Sequence, residues 1–508
     1  MRPSSDLLDA LAWGFLSALV LLLLPIGHVS PDGIGQSVNF SAGFVRWNPN
    51  HLLVEPLGSW WMGLVDIGSG EGSRSEAVDH LRRLSILAGS LAAGLFRFLV
   101  AKRLAGSRLA ANHATAWLAF SSAFARLWVM DEVYMVQMPA VVAVAWLTLR
   151  YLERPSLSRA LEVGASVTLA AAFFVSNLLL GPALAAALWR KPKHAVGVLI
   201  GTLATTVLVF TAAWASSQTP NGFLDWMTRY TGGNVPSRVE AAYGTIDLFE
   251  STARALYGAA CALVDLAPMV ARFRDSQNLD LWRAAAFVAG SWALLSALVL
   301  SFRDRSDPCN RSALLLFGVW TAAVLAFGIY WNNSDDQFYV QLSVAFGALA
   351  ARLPLRKAAV LGLVALLWNV VDVGHRRVFY PREERLALIE REFGQAGLIV
   401  YPGFDEMDTL LALKEVAPAV SITGYSVQAP VEKGLENLFF TISGTLREGR
   451  DVAIVDIVDV SPSRSPWKFL KRMGYEQVEV AEVANRFALE RTPERMGPFT
   501  VRWIRAPK

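Results

Sequence analysis

Asp32 stands in Ser30-Pro31-Asp32-Gly33, just past the first apolar run of the chain. A carboxylate held there can act as a general base on an attacking hydroxyl. Asp before Gly is also an ordinary turn former, so both readings stay open. Asp131-Glu132 opens a later apolar run, close to Arg126. Acids are favoured at a helix N-terminus by its dipole, so these two either cap a helix or add a second acidic contact beside Asp32. His51 and Glu55 lie four apart on an expected helix and would share a face. They could grip a phosphate, a hydroxyl or a metal, although two residues do not make a metal site. No cofactor is expected, and a divalent cation is left open.

Asn177 sits where an apolar run is interrupted by Ser176-Asn177 and then by Gly181-Pro182. A polar residue at such a break often lines a functional cavity. Asn332 to Asp336 opens another run, with capping as its ordinary role. Basic residues expected at the same membrane face are Arg46, Arg82, Arg83, Arg126, Arg229 and Arg238. A lipid-linked phosphate needs one or two cations; any single one is otherwise a solvated surface residue. Arg97, near the other end of its run, is expected to snorkel. Gly68 to Ser73 reads as a flexible connector and not as a phosphate-cradling loop.

The elements that must position these residues are mostly membrane helices. The chain has 508 residues, 54% apolar and only 18% charged. Soluble chains carry about 25% charge. The deficit falls on residues 1–375; residues 383–508 read as ordinary soluble protein. This excludes a simple cytosolic enzyme and a disordered chain, and a net charge of +4 is too small to argue for nucleic acid. Apolar runs long enough to cross a bilayer lie at about 8–26, 80–101, 109–127, 133–151, 158–176, 194–215, 281–301, 312–331, 337–352 and 356–374. The shorter run 178–189 returns after the break and brings the count to about 11 spans. Lys and Arg favour cytoplasmic loops. With the N-terminus inside, Lys102, Arg103, Arg108, Arg150, Arg154, Arg159, Arg190, Lys191, Lys193, Arg303, Arg305, Arg311, Arg352, Arg356 and Lys357 all fall in inner loops. The loops 27–79 and 216–280 then face outward, as does the C-terminal part. Within the first outer loop, 34–47 reads as an amphipathic piece. Leu52 to Val65 reads as an interfacial helix with Trp60 and Trp61 in the aromatic belt. Cys261 and Cys309 fall on opposite sides and cannot pair.

The soluble part, 383–508, reads as a small α/β domain. β-rich runs lie at Leu398–Tyr401, Val420–Thr423, Val452–Val458, Gln477–Val483 and Thr500–Ile504. Helical patterns lie around 405–416, 431–447 and 465–473.

In order, these features resemble the polyprenyl-phosphate-dependent membrane glycosyltransferases of the GT-C class, such as protein O-mannosyltransferases and the aminoarabinose transferase of lipid A. The resemblance covers about 1–375. It rests on the first span, the long outer loop with the early Asp32, Glu132 before the fourth span, and the split helix pair with Asn177, Gly181 and Pro182. A large later outer loop and an outer C-terminal domain complete it. It implies an integral, multi-pass protein of the cell (inner) membrane, with an α-helical GT-C-like domain and a C-terminal α/β domain. It also implies sugar transfer from a polyprenyl-phosphate donor to a lipid, glycan or protein acceptor, among membrane lipids and without nucleic acid. Asp32 would be the base or an acceptor-positioning residue. Glu132 would share that work, with His51, Glu55, Arg46, Arg126, Asp131 and Asn177 as binding residues. The chain departs from the pattern in having one acid, and not an Asp-Glu pair, right after the first span. It also has Asn177 where related chains place other polar or basic residues. The rival reading is a transporter or flippase of lipid-linked or small polar substrates. Transporters show paired repeats with matching broken helices, and the sequence reveals one break and no second half.

The charge alternation gives the first test. A reporter active only outside the cytoplasm, fused after Lys508, is expected to be active, and a cytoplasm-only reporter silent. The reverse pattern would overturn the orientation.

Overall fold

The computed structural model describes, apart from single positions, residues 5–24, 30–41, 47–65, 74–217, 248–264, 307–331, 336–352, 382–403, 417–422, 431–458 and 475–507. Arg46, Arg229, Arg238, the run 281–301 and most of 356–374 lie outside the described residues. Five described helices are long and apolar enough to cross a bilayer: Ser5–Leu23, Ser75–Leu104, Val133–Glu153, Pro192–Ser216 and Pro308–Tyr330. The other expected spans within the described residues are less regular. The run 109–127 is two helices, Arg108–Ala119 and Ser122–Trp128. The run 337–352 is a 3-10 turn, Asp336–Tyr339, followed by the helix Leu342–Ala350.

The breaks are covered by protein, as backbone at membrane depth must be. At 120–121, the carbonyl of Phe120 accepts from Asn369 Nδ2 at 2.8 Å. The N–H groups of Ser122 and Ala123 donate to Leu263 and Ala262 at 3.2 and 2.9 Å. At the end of the helix Leu157–Phe173, Ala172 accepts from Leu53 N–H at 2.8 Å, and Val175 N–H donates to Asn50 at 3.0 Å.

The basic loops gather at one end of the bundle. Arg103 pairs with Glu153 at 2.5 Å, Arg352 donates to the Leu104 carbonyl at 2.8 Å and pairs with Asp307, and Tyr151 meets His194 at 2.7 Å. Arg97 corrects the snorkelling expectation. It is fully buried, donating to Asp9 at 2.7 Å, to Asp6 at 3.2 Å and to Asn112 at 2.7 Å. Arg108 reaches the same Asp9 at 2.5 Å. The N-terminal helix brings two carboxylates to Arg97, and a paired, hydrogen-bonded charge tolerates burial where a lone one does not.

Two neighbouring helices, Leu157–Phe173 and Pro192–Ser216, approach through glycine. A Cβ on Gly164 would lie 2.3 Å from the Val198 carbonyl oxygen, and one on Gly201 would lie 2.5 Å from that of Leu161. Small residues that let backbones approach are the usual device for packing helices in lipid. Thr168 adds a hydrogen bond across the pair, to the Thr202 carbonyl at 3.0 Å.

The C-terminal sheet has five strands in the order β2-β1-β3-β5-β4, with β1 Leu398–Tyr401, β2 Ala419–Ser421, β3 Val452–Val455, β4 Glu494–Met496 and β5 Phe499–Ile504. β1 pairs in parallel with β2 and β3; β5 runs antiparallel to β3 and β4. β1 and β3 are buried throughout, because both faces are covered. On one face Ile399, Tyr401, Ala453 and Val455 meet Leu386, Ile389 and Phe393 of the helix Arg382–Phe393. On the other, Leu398, Val400, Val452 and Ile454 meet Leu438 and Ile442 of the helix Val431–Arg447. The expected strand Gln477–Val483 is instead the helix Gln477–Asn485. Its valines alternate, but burial follows Val480, Val483 and Ala484, while Val478 stays 62% exposed. The Glu479 side chain also accepts from Glu476 N–H at 3.4 Å, which closes the helix start. The short strand β4 carries no apolar alternation to betray it.

The sheet core includes one membrane-helix residue. Val78, in the first turns of Ser75–Leu104, packs in the cluster with Leu386, Ile389 and Phe393. Beside it Arg382 pairs with Asp79 at 3.7 Å and donates to Ser75 Oγ at 3.2 Å.

The glycine contact predicts a large effect from one side chain. Gly201→Leu must displace backbone, and overpacking costs about 1–3 kcal/mol. Its thermal midpoint in detergent is expected to fall by several degrees. Gly318→Leu, where a Cβ meets nothing within 4 Å, is expected to stay near the parent. Equal midpoints would refute the tight contact.

Candidate active site

At the end of the bundle opposite the basic loops, the chain from Ser30 to Gly33 seats on Asp131. Ser30, Pro31 and Gly33 are residues that begin helices well: Ser30 Oγ accepts from Gly33 N–H at 2.8 Å, and proline fits the first helical position. The helix runs Pro31–Ser41, so Asp32 lies in its first turn and not in a free loop turn. This also corrects the expected amphipathic piece 34–47, which starts earlier. The Asp131 carboxylate accepts from Ser30 N–H at 3.0 and 3.1 Å. A Cβ on Gly33 would fall 2.1 Å from Asp131, so only glycine permits this approach.

Asp131 and Glu132 are 1% and 3% exposed. They do not cap their own helix in the expected manner. Glu132 precedes the 3-10 turn Val133–Gln137 with no side-chain cap, while Asp131 serves the start of a different helix, 101 residues away. The Glu132 carbonyl accepts from Ser85 Oγ at 2.5 Å, which ties the acid pair to the Ser75–Leu104 helix. Arg82, one turn earlier on that helix, is close enough to Asp131 to interact electrostatically and pairs with Asp79 at 3.7 Å. Asp79 therefore lies between Arg82 and Arg382 of the sheet unit. Arg126 is partly buried in the last turn of Ser122–Trp128, a favourable place for a cation.

His51 and Glu55 do not share one helix. The helix is Val54–Leu64; Glu55 is in its first turn and His51 in the turn before it. The His51 ring stacks on Phe174 at 5.3 Å and meets Tyr134 edge-on at 5.9 Å. Its Nδ1 lies 3.2 Å from the Phe173 carbonyl, which can only accept, so Nδ1 carries the proton. Burial among these rings pushes the imidazole down to about 4, so it is neutral at pH 7.

Asn177 lies in the 3-10 turn Val175–Leu179 and joins residues the sequence reading missed. Its Nδ2 donates to Gln137 Oε1 at 2.7 Å and to the Ala170 carbonyl at 3.0 Å. Gln341 Nε2 donates to the same Gln137 Oε1 and to Ser176 Oγ, both at 3.2 Å. Next to this amide group is an aromatic one: Tyr134, Phe174 and Phe338, with centroids 5.4–6.1 Å apart. The signal was present as aromatic-x-x-amide in three places, Tyr134/Gln137, Phe174/Asn177 and Phe338/Gln341.

The structure thus joins Asp131, Glu132 and the turn of Asp32 at one point, and His51 and Asn177 around Tyr134 and Gln137, which follow Glu132 in the chain. Arg46 lies outside the described residues. The additional break at 120–121 means that the number of breaks does not separate an enzyme from a transporter. Among the described residues, no group of three or more His, Cys, Asp or Glu is placed to hold a metal.

No family model and no curated protein matches the chain. Solved structures do align along its length. ArnT from Cupriavidus metallidurans bound to undecaprenyl phosphate is 17% identical with a TM-score of 0.40, covering 98% of this chain and 100% of that one. The apo state of the same protein is 15% identical with a TM-score of 0.41, covering 99% of each. The Archaeoglobus fulgidus oligosaccharyltransferase tethered with an acceptor peptide is 11% identical with a TM-score of 0.48, covering 98% of this chain and 73% of that one. All three scores lie below 0.5.

The depressed His51 makes stability pH-dependent with a definite sign. An unfolded histidine titrates near 6.5. Between that value and about 4 the unfolded chain takes up a proton that the folded one refuses. Stability due to His51 is complete above pH 6.5 and is lost as pH falls to 4, by at most about 3 kcal/mol. The thermal midpoint of the parent is expected to drop more steeply over this window than that of His51→Phe. Parallel curves would refute it.

Proposed function

We propose that the chain is an integral-membrane glycosyltransferase that moves a sugar from a polyprenyl-phosphate carrier to an acceptor hydroxyl at the acidic end of the bundle. That end is the outer membrane face in the orientation argued from the basic loops. The observation that carries the reading is the joint at Asp131. One buried carboxylate holds Ser30 N–H at 3.0 Å, which brings the helix start that carries Asp32 against the segment that carries Glu132. Asp131 holds backbone, and the proton acceptor is assigned to its neighbours in the fold, Asp32 first and Glu132 second.

In the proposed reaction the acceptor oxygen attacks the anomeric carbon while its proton passes to a carboxylate, Asp32 first and Glu132 as the alternative. The bond from that carbon to the phosphate oxygen breaks, and its electron pair leaves with the polyprenyl phosphate. A single displacement inverts the anomeric carbon. Cations near the joint, Arg126 and Arg82 with Arg46 in the same loop region, oppose the charge that develops on the phosphate. Glu55 and His51 position acceptor or donor. No nucleotide is needed, because the sugar arrives already activated on lipid. The acceptor is a lipid, a glycan or a protein.

A transporter would need no proton acceptor at this point, and that difference supplies the test. General base catalysis is worth about 10²–10⁴-fold. With purified protein, a panel of lipid-phosphate sugars and acceptors read by mass spectrometry, Asp32→Asn is expected to reduce transfer by that factor and to leave donor binding intact. Glu132→Gln is the companion variant. Parent-like transfer by both, in folded protein, would end the reading.

A further inference from the structure

Three short 3-10 turns, Val133–Gln137, Val175–Leu179 and Asp336–Tyr339, meet beside the acid pair. A 3-10 turn brings residues three apart onto one side. At or beside each turn an aromatic residue is followed three positions later by an amide, which stacks two layers. Tyr134, Phe174 and Phe338 touch in one layer, with His51 against Phe174. Gln137, Asn177 and Gln341 hydrogen-bond in the other.

The amide layer is not closed on itself. The Ala170 carbonyl can only accept, so the Asn177 atom facing it is the nitrogen. The Gln137 atom that meets this nitrogen at 2.7 Å must then be the oxygen. Gln137 Nε2 and Asn177 Oδ1 remain, both without a hydrogen-bond partner, on side chains 1% and 0% exposed. Unmade hydrogen bonds of buried groups cost about 1–3 kcal/mol each, and one donor with one acceptor is what a single hydroxyl satisfies. Neither layer contains a cation, so the group that fits is neutral and not a phosphate.

We propose that these two layers are the sugar subsite: a ring hydroxyl accepts from Gln137 Nε2 and donates to Asn177 Oδ1, with the apolar face of the ring on the aromatic layer. This rests on the transferase reading and names where the neutral half of the donor lies. Few placed polar groups in an aromatic lining are the usual composition of a small-molecule site.

The test compares two lipids on the full chain in detergent: polyprenyl monophosphate, and the same lipid carrying a hexose or a pentose. Gln137→Met keeps the length of the side chain and removes the free N–H donor without adding a charge or an acid O–H. It is expected to weaken the sugar-bearing lipid about five- to tenfold, the worth of one hydrogen bond, and to leave the bare phosphate unchanged. Asn177→Ala is expected to show the same selectivity, with thermal midpoints confirming that both variants fold. Equal loss for both lipids, or no loss for either, overturns the subsite and leaves the amides a structural role with an ordered water. A parent that binds the bare phosphate with no gain from the sugar also overturns it. A parent that binds neither lipid overturns the transferase reading and the subsite with it.

Discussion

A backbone carbonyl or N–H inside a bilayer has no water to turn to. Among the described residues, the breaks at 120–121 and at 173–175 depend on that constraint. The helix that ends at Phe173 survives its break because residues 50–53 supply the missing partners, to Ala172 and from Val175. The loop after the first span is therefore no passive linker. It completes the hydrogen bonding of a helix more than a hundred residues away, and in doing so brings His51 onto Phe174. At the other break, 120–121, Asn369 and residues 262–263 do the same. Breaks and coverings arise together, and the polar side chains they gather are where chemistry is possible.

The joint at Asp131 follows the same logic with charge added. A helix start leaves N–H groups unpaired and positive. Ser30 caps one of them and Asp131 takes the N–H of Ser30 itself. Gly33 lets the two elements touch. A carboxylate buried to this degree is stable only against such donors, so the helix start and the acid hold each other in place. Arg82, Asp79 and Arg382 continue the charge alternation outward to the sheet unit.

Much of this was legible in the sequence, and most of the failures share a cause. Long apolar runs, basic loops, the interruption at Asn177 and most of the strands depend on local pattern, and local pattern is what a sequence displays. Arg97 looked like a snorkelling residue because Asp6 and Asp9 are far from it in the chain. Asp131 looked like a cap for its own helix because Ser30 is equally remote. Gln477–Asn485 was misread for another reason: its valines alternate, and only the sheet face it packs on selects the helical set Val480, Val483 and Ala484. The aromatic-x-x-amide repeats were visible but had no meaning until three turns were seen to converge. Gln137 and Gln341 sit inside apolar runs that read as plain spans.

Val78 has a consequence for how the protein comes into being. It belongs to a membrane helix, yet it fills the core of a sheet whose strands begin at Leu398. A ribosome makes it some three hundred residues before the strands it packs against. Until they arrive, the top of that helix presents an apolar side chain and the Asp79 carboxylate without Arg382 beside it. The sheet for its part gains one buried side chain from the membrane helix. The two parts thus share a core residue, and the acid pair is tied to the same helix through Ser85.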